Sequence, residues 1–110
     1  MMSDDLEDDA EWQALLAGFR RHFWEVRVPL FWQSWEAART SPMQDWSEEL
    51  KRSVHGLAGV AALVGHPEVG DQARVIEQCW NRLAQGDEAH VRELIGGLAA
   101  TLHGLEQAAG

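Results

Sequence analysis

The stretch Val54 to Gly65, VHGLAGVAALVG, carries one titratable side chain, His55, among apolar residues and glycines. A neutral imidazole offers a nucleophilic lone pair near pH 7, and protonation removes it. Residues on a helix are about 100° apart, so positions three, four and seven away share a face. The face of His55 carries Glu48, Lys51, Arg52, Gly59 and Ala62, whereas its neighbour Val54 is a core position. The ring is therefore expected to reach solvent. Gly59, one turn on, gives up about 0.5–1 kcal/mol of helix stability relative to alanine. Gly56 repeats that cost beside the same histidine. Such a placement makes sense where something must approach the ring closely. The plainer alternative is a surface histidine with glycines that ease helix packing.

No other constellation competes. His22, His66, His90 and His103 have no partner at metal-ligand spacing, and no metal site is expected. The chain lacks a Gly-rich phosphate loop, a Ser–His–Asp pattern and a His-Glu-x-x-His motif. With no ATP-binding motif it is not a kinase by itself. The lone cysteine, Cys79, permits no disulfide within the chain and no structural zinc site, and reads as a small buried hydrophobe.

The elements that must carry His55 are helical, since alternating β-branched runs are absent. The net charge is −9, from 18 acidic and 9 basic residues in 110. That surface argues against nucleic acid or anionic membrane as a partner. No run of about 18 apolar residues is available to span a bilayer. The start, MMSDDLEDDAEW, lacks the basic and apolar regions of a secretory signal. Cytoplasmic location follows as the expectation. Residues 1–7 read as an acidic flexible tail and residues 8–110 as a single domain.

A first helix, about Asp8 to Val28, spaces Trp12, Leu15, Leu16, Phe19, Phe23 and Val26 by threes and fours. Pro29 should break or kink it near Arg27 or Val28. A second piece, Leu30 to Arg39, carries Trp32 and Trp35. With Trp24 they crowd the N-terminal helices, and an exposed aromatic there would mark a docking surface. Either Ser41-Pro42 or the DWSE stretch, Asp45 to Glu48, starts the histidine helix, which runs to about Val64 with Leu50, Val54, Leu57, Ala61 and Val64 inward. Gly65 stops it and Pro67 starts the next. That helix, to about Gln85, buries Val69, Ala73, Ile76, Trp80 and Leu83. After Gly86, Asp87 caps a last helix, Glu88 to about Gln107, with Val91, Leu94, Ile95, Leu98, Leu102 and Leu105 inward. Short connections imply an all-α, up-and-down antiparallel four-helix bundle with an extra or kinked N-terminal helix.

The segment fits His-x-Leu-x-Gly-x-x-x-x-x-Gly, with His55, Leu57, Gly59 and Gly65 in place. Together with the expected bundle this resembles the histidine-containing phosphotransfer (HPt) domain of two-component phosphorelays. The resemblance implies that His55 accepts a phosphoryl group from a receiver-domain aspartyl phosphate and passes it to another. It implies a response-regulator receiver and a hybrid sensor kinase as partners. No cofactor is implied here, because Mg²⁺ and the acidic pocket belong to the receiver. The chain would be a phosphotransfer intermediate rather than a free-standing enzyme. Some members carry a carboxylate 22 residues after the histidine, here Glu77, which would orient the ring through Nδ1. Leu57, Ala58, Gly59 and Ala62 would contribute to the receiver-docking patch, rimmed by Lys51 and Arg52, with Arg74 across on the next helix. The departure is Ala58, where most members have Lys or Arg. In members with Ala there, Arg often follows the histidine directly, and that position is Gly56.

Two other readings start from the same residues. A helical adaptor would keep the bundle and dock a partner without phosphorylation, which the missing base at Ala58 suits. A small helical enzyme would need polar residues converging on His55, and only Glu77 and Arg74 are on offer.

Overall fold

The computed structural model describes the backbone of residues 2–82 and 87–109 and the side chains of residues 9–82 and 87–108. It is all-helical, with no strand among the described residues. In order come α1 (Met2–His22), a π-helical turn (Phe23–Arg27), α2 (Val28–Ala38), a 3₁₀ turn (Met43–Asp45), α3 (Glu48–Val60), α4 (Pro67–Asn81) and α5 (Glu88–Ala109). The first helix starts at Met2, so the backbone of the stretch expected as a tail is helical. The expected end of α4 at Gln85, with Leu83 and Gly86, lies outside the described residues.

Pro29 does not break the chain. The turn before it widens instead, and the N–H of Val28 bonds back to the carbonyl of Phe23, five residues earlier. A proline ring clashes with the carbonyl four residues before it, and a wide turn relieves that clash while the helix continues. The extra residue also shifts the inward stripe. Phe23, Val28, Phe31, Trp35 and Ala38 are buried, so one step is of five residues. Val26, expected inward, is exposed, and Val28 takes its place.

On α3 the stripe is as spaced: Leu50, Val54, Leu57, Ala61 and Val64 are all buried. Ser41 does not cap this helix. Its Oγ bonds back to the carbonyl of Ala37, and α3 begins at Glu48 after Ser47. At the far end Gly65 adopts φ +96°. The His66 N–H reaches the Ala61 carbonyl (2.8 Å) and the Gly65 N–H that of Ala62 (3.2 Å). These are the 6→1 and 5→2 bonds of a Schellman closure, which carries the helical path to Val64. His66 then stacks on Phe23 at 5.8 Å and meets Trp24 edge-on at 5.5 Å. That tethers the α3–α4 turn to the π turn.

Val69, Ala73 and Ile76 of α4 and Val91, Ile95, Leu98 and Leu102 of α5 complete the core. Leu94, Leu105, Trp80 and Cys79 are only half-buried at its margin. The carbonyls at the end of α2 are collected by Trp46 and Arg92. Trp46 Nε1 donates to Ala38 (2.8 Å) and Ser41 (3.1 Å), and Arg92 donates to Arg39 (3.0 Å) and Ser41 (2.8 Å). Arg92 also lies over the Trp46 ring. Helix ends leave such carbonyls without intrahelical partners, and a cation there suits the helix dipole.

The first helix corrects the sequence reading most. Trp12 and Leu15 are 49% and 50% exposed. The substantial contacts of α1 are with the π turn alone, so the stripe is covered only near its end, where Phe19 packs against the core, and Trp12 and Leu15 have nothing to face. None of the crowded tryptophans Trp24, Trp32 and Trp35 is exposed, so none marks a docking surface. Trp35 is buried, and Trp32 donates to Glu106 at 2.9 Å.

Candidate functional site

The histidine helix and α4 bring His55 and Glu77 together. His55 Nδ1 lies 2.8 Å from Glu77 Oε2, with side-chain exposures of 79% and 23%. A carboxylate accepts only, so Nδ1–H is the donor. In the neutral ring this puts the lone pair on Nε2, on a side chain open to solvent. The contact arises because α3 and α4 are joined by the tight closure at Gly65. Ala58 and Arg74 pair in the same register, Arg74 Nη2 donating to the Ala58 carbonyl at 3.5 Å.

Two residues that the resemblance assigns to the docking patch, Leu57 and Ala58, do not reach the surface, and Leu57 lies where the inward stripe of α3 puts it. Leu57 is fully buried and Ala58 is 6% exposed. Two residues along a helix is about 200°, so Leu57 points away from His55 into the core. Ala58 sits beneath α4, where Gly70 backs onto its carbonyl. Neither can belong to a docking patch. Gly59 and Ala62 are exposed as expected, and Leu63, which the sequence reading did not single out, is exposed beside them. A side chain at Gly59 would meet nothing within 4 Å, so nothing in the described chain requires glycine there.

Around the ring is an open concavity of about 480 Å³ lined by Arg27, Glu48, Lys51, Arg52, His55, Gly56 and Glu77. Lys51 lies over the Trp80 ring, 5.8 Å from its centroid. Arg52 is exposed. Arg74 stands away from this concavity and pairs with Asp71 at 3.3 Å. Arg27 is the residue sequence reasoning missed. It comes from the π turn, and its guanidinium passes over Gly56, where a Cβ would stand 2.6 Å from Nη1. The only trace in the sequence is the glycine itself, otherwise an unexplained cost in a helix.

No cluster of three or more metal-ligating side chains occurs among the described residues, and no described helix is long and apolar enough to cross a membrane. The model of one family, the Hpt domain, matches residues 10–108, nearly the whole chain. The chain belongs to the Hpt domain family. Hpt domains serve phosphotransfer in two-component signalling and interact with response-regulator receivers and kinases. Neither a curated protein nor a solved structure gives a match.

Proposed function

We propose that this chain is a phosphorelay intermediate that accepts a phosphoryl group on His55 Nε2 from a receiver aspartyl phosphate and donates it to another receiver. The observation that carries the reading is the His55–Glu77 contact, which leaves the lone pair of an exposed imidazole facing outward. In the forward step that pair forms the N–P bond as the acyl phosphate P–O bond breaks, and the electrons leave on the receiver carboxylate. The phosphorylated ring keeps its proton on Nδ1 and is cationic, and the Glu77 carboxylate stabilises it in place. Donation reverses each movement. Mg²⁺ is the receiver's contribution, and no cofactor is required on this chain.

The receiver docks on the face of His55, Gly59, Ala62 and Leu63, spaced by one and two helical turns, with Lys51 and Arg52 at its rim. The bare Gly59 gives clearance for its approach. We read the helices as an up-and-down antiparallel bundle of α2 to α5. The pairs His55–Glu77, Ala58–Arg74 and Trp32–Glu106 support that arrangement, as does Arg92 at the end of α2. Partner receivers and a hybrid kinase place the protein in the cytoplasm.

The test is incubation with a radiolabelled, phosphorylated receiver domain. Acid-labile label should move onto the wild-type chain and not onto His55→Gln. Equal labelling of the two would refute the assignment. Receiver binding with no transfer to either would leave an adaptor instead.

A further inference from the structure

Arg27, Lys51 and Arg52 border the concavity around His55 in a chain of net charge −9. Arg27 is held there from outside the histidine helix. A regular stripe running on from Phe23 would put Arg27 inward one turn later. The five-residue step of the π turn gives that inward place to Val28 and leaves Arg27 half-buried at the side, against α3. Its side chain lies across Gly56, the residue directly after His55. A Cβ at 56 would stand 2.6 Å from Nη1, 3.2 Å from Cζ and 3.3 Å from Cδ. Among the described residues Arg27 has no ion pair. Lys51 is held over Trp80, and Arg74 is held by Asp71 and the Ala58 carbonyl.

A phosphoryl group on Nε2 adds a dianion to a site that already holds Glu48 and Glu77. Its oxygens need donors and positive charge, and a guanidinium fork suits phosphate better than an ammonium does. Ala58 cannot supply them, its side chain being an uncharged methyl group that is 6% exposed. We propose that Arg27 is a phosphoryl-binding residue of this site: its guanidinium, seated over Gly56, hydrogen-bonds the phosphoryl group on His55 and offsets its charge. The glycine at 56 is then the seat of that arginine. The inference rests on the assignment of His55 as acceptor.

The experiment uses potassium phosphoramidate, a donor too small to need a docking surface. The Nε2 lone pair forms the N–P bond, the donor P–N bond breaks, and ammonia leaves with the electron pair. Phosphohistidine is followed by ³¹P NMR for its rate of formation and its half-life. Arg27→Ala should slow formation or shorten the half-life by about tenfold, less than is lost at a water-excluded oxyanion site. Arg27→Lys should fall between. Gly56→Ala should act like Arg27→Ala while keeping the fold, because the atom it displaces is the far end of a flexible side chain. Arg20→Ala, an exposed charge on α1, should match wild type. Circular dichroism melts of every variant separate loss of fold from loss of chemistry. If the folded Arg27→Ala and Gly56→Ala variants match wild type in both rate and half-life, the proposal is wrong and the His55 assignment stands. If wild type and His55→Gln are equally unlabelled, both are wrong.

Discussion

Glu77 decides which nitrogen of His55 faces out. Nδ1–H is spent on the carboxylate, so in the neutral ring Nε2 holds the lone pair, and under the proposed transfer the same carboxylate would face the cation formed when Nε2 is phosphorylated. Glu77→Ala should therefore lower phosphotransfer by roughly ten- to a hundredfold, the range seen when a histidine loses the partner that orients its ring. It should also let the ring sample both neutral tautomers, read from ¹⁵N shifts of the imidazole. An unchanged single tautomer would remove the orienting role. At this scale the sequence pointed to His55 by its motif and to Glu77, which the structure brings within 2.8 Å of it, only through the family resemblance. It said nothing direct of Arg27, whose contact depends on the turn widening before Pro29. Leu57 it placed twice: the helical stripe put it in the core, where it lies, while the family resemblance put it in the docking patch, which its burial rules out.

At the scale of elements, two glycines carry opposite predictions. Gly65 sits at φ +96° in the closure that sets the α3–α4 register. An L side chain there costs about 1–2 kcal/mol, so Gly65→Ala should lower the denaturant midpoint. It should also weaken transfer, since the His55–Glu77 register depends on that turn. Gly56 is ordinary helix, and Gly56→Ala should raise helix stability by up to about 1 kcal/mol even as it unseats Arg27. A midpoint unchanged in both would contradict this account of the two turns. The stripes of α3, α4 and α5 were legible because repeats of three and four residues state the buried face outright. The π turn was not, because a proline in a helical pattern reads as a break, whereas the chain absorbs it with one extra residue and shifts Val26 for Val28. Nor was the fate of α1 legible. An apolar stripe shows that a helix can bury a face, not that a neighbour is there to cover Trp12 and Leu15.

Across the whole molecule, the acidic surface and the site are complementary features. The chain carries −9 overall, yet gathers Arg27, Lys51 and Arg52 around His55 and its Glu77 partner. The core exists to hold two helices in register beneath that ring. Leu57, fully buried two residues from His55, joins the two functions. Leu57→Ala should cost about 2–5 kcal/mol, a large share of the roughly 5–15 kcal/mol that holds a domain folded. A urea melt measures it directly. A loss below about 1 kcal/mol would show that Leu57 is not in the core. The central claim is that phosphate resides on Nε2 of His55. It is tested most directly by ³¹P NMR of the intact protein after transfer from a phosphorylated receiver, with the site mapped at neutral pH. The account predicts one resonance of the Nε2-phosphohistidine type, assigned to residue 55. Phosphate on Nδ1, on His22, His66, His90 or His103, or on no histidine at all, would contradict it.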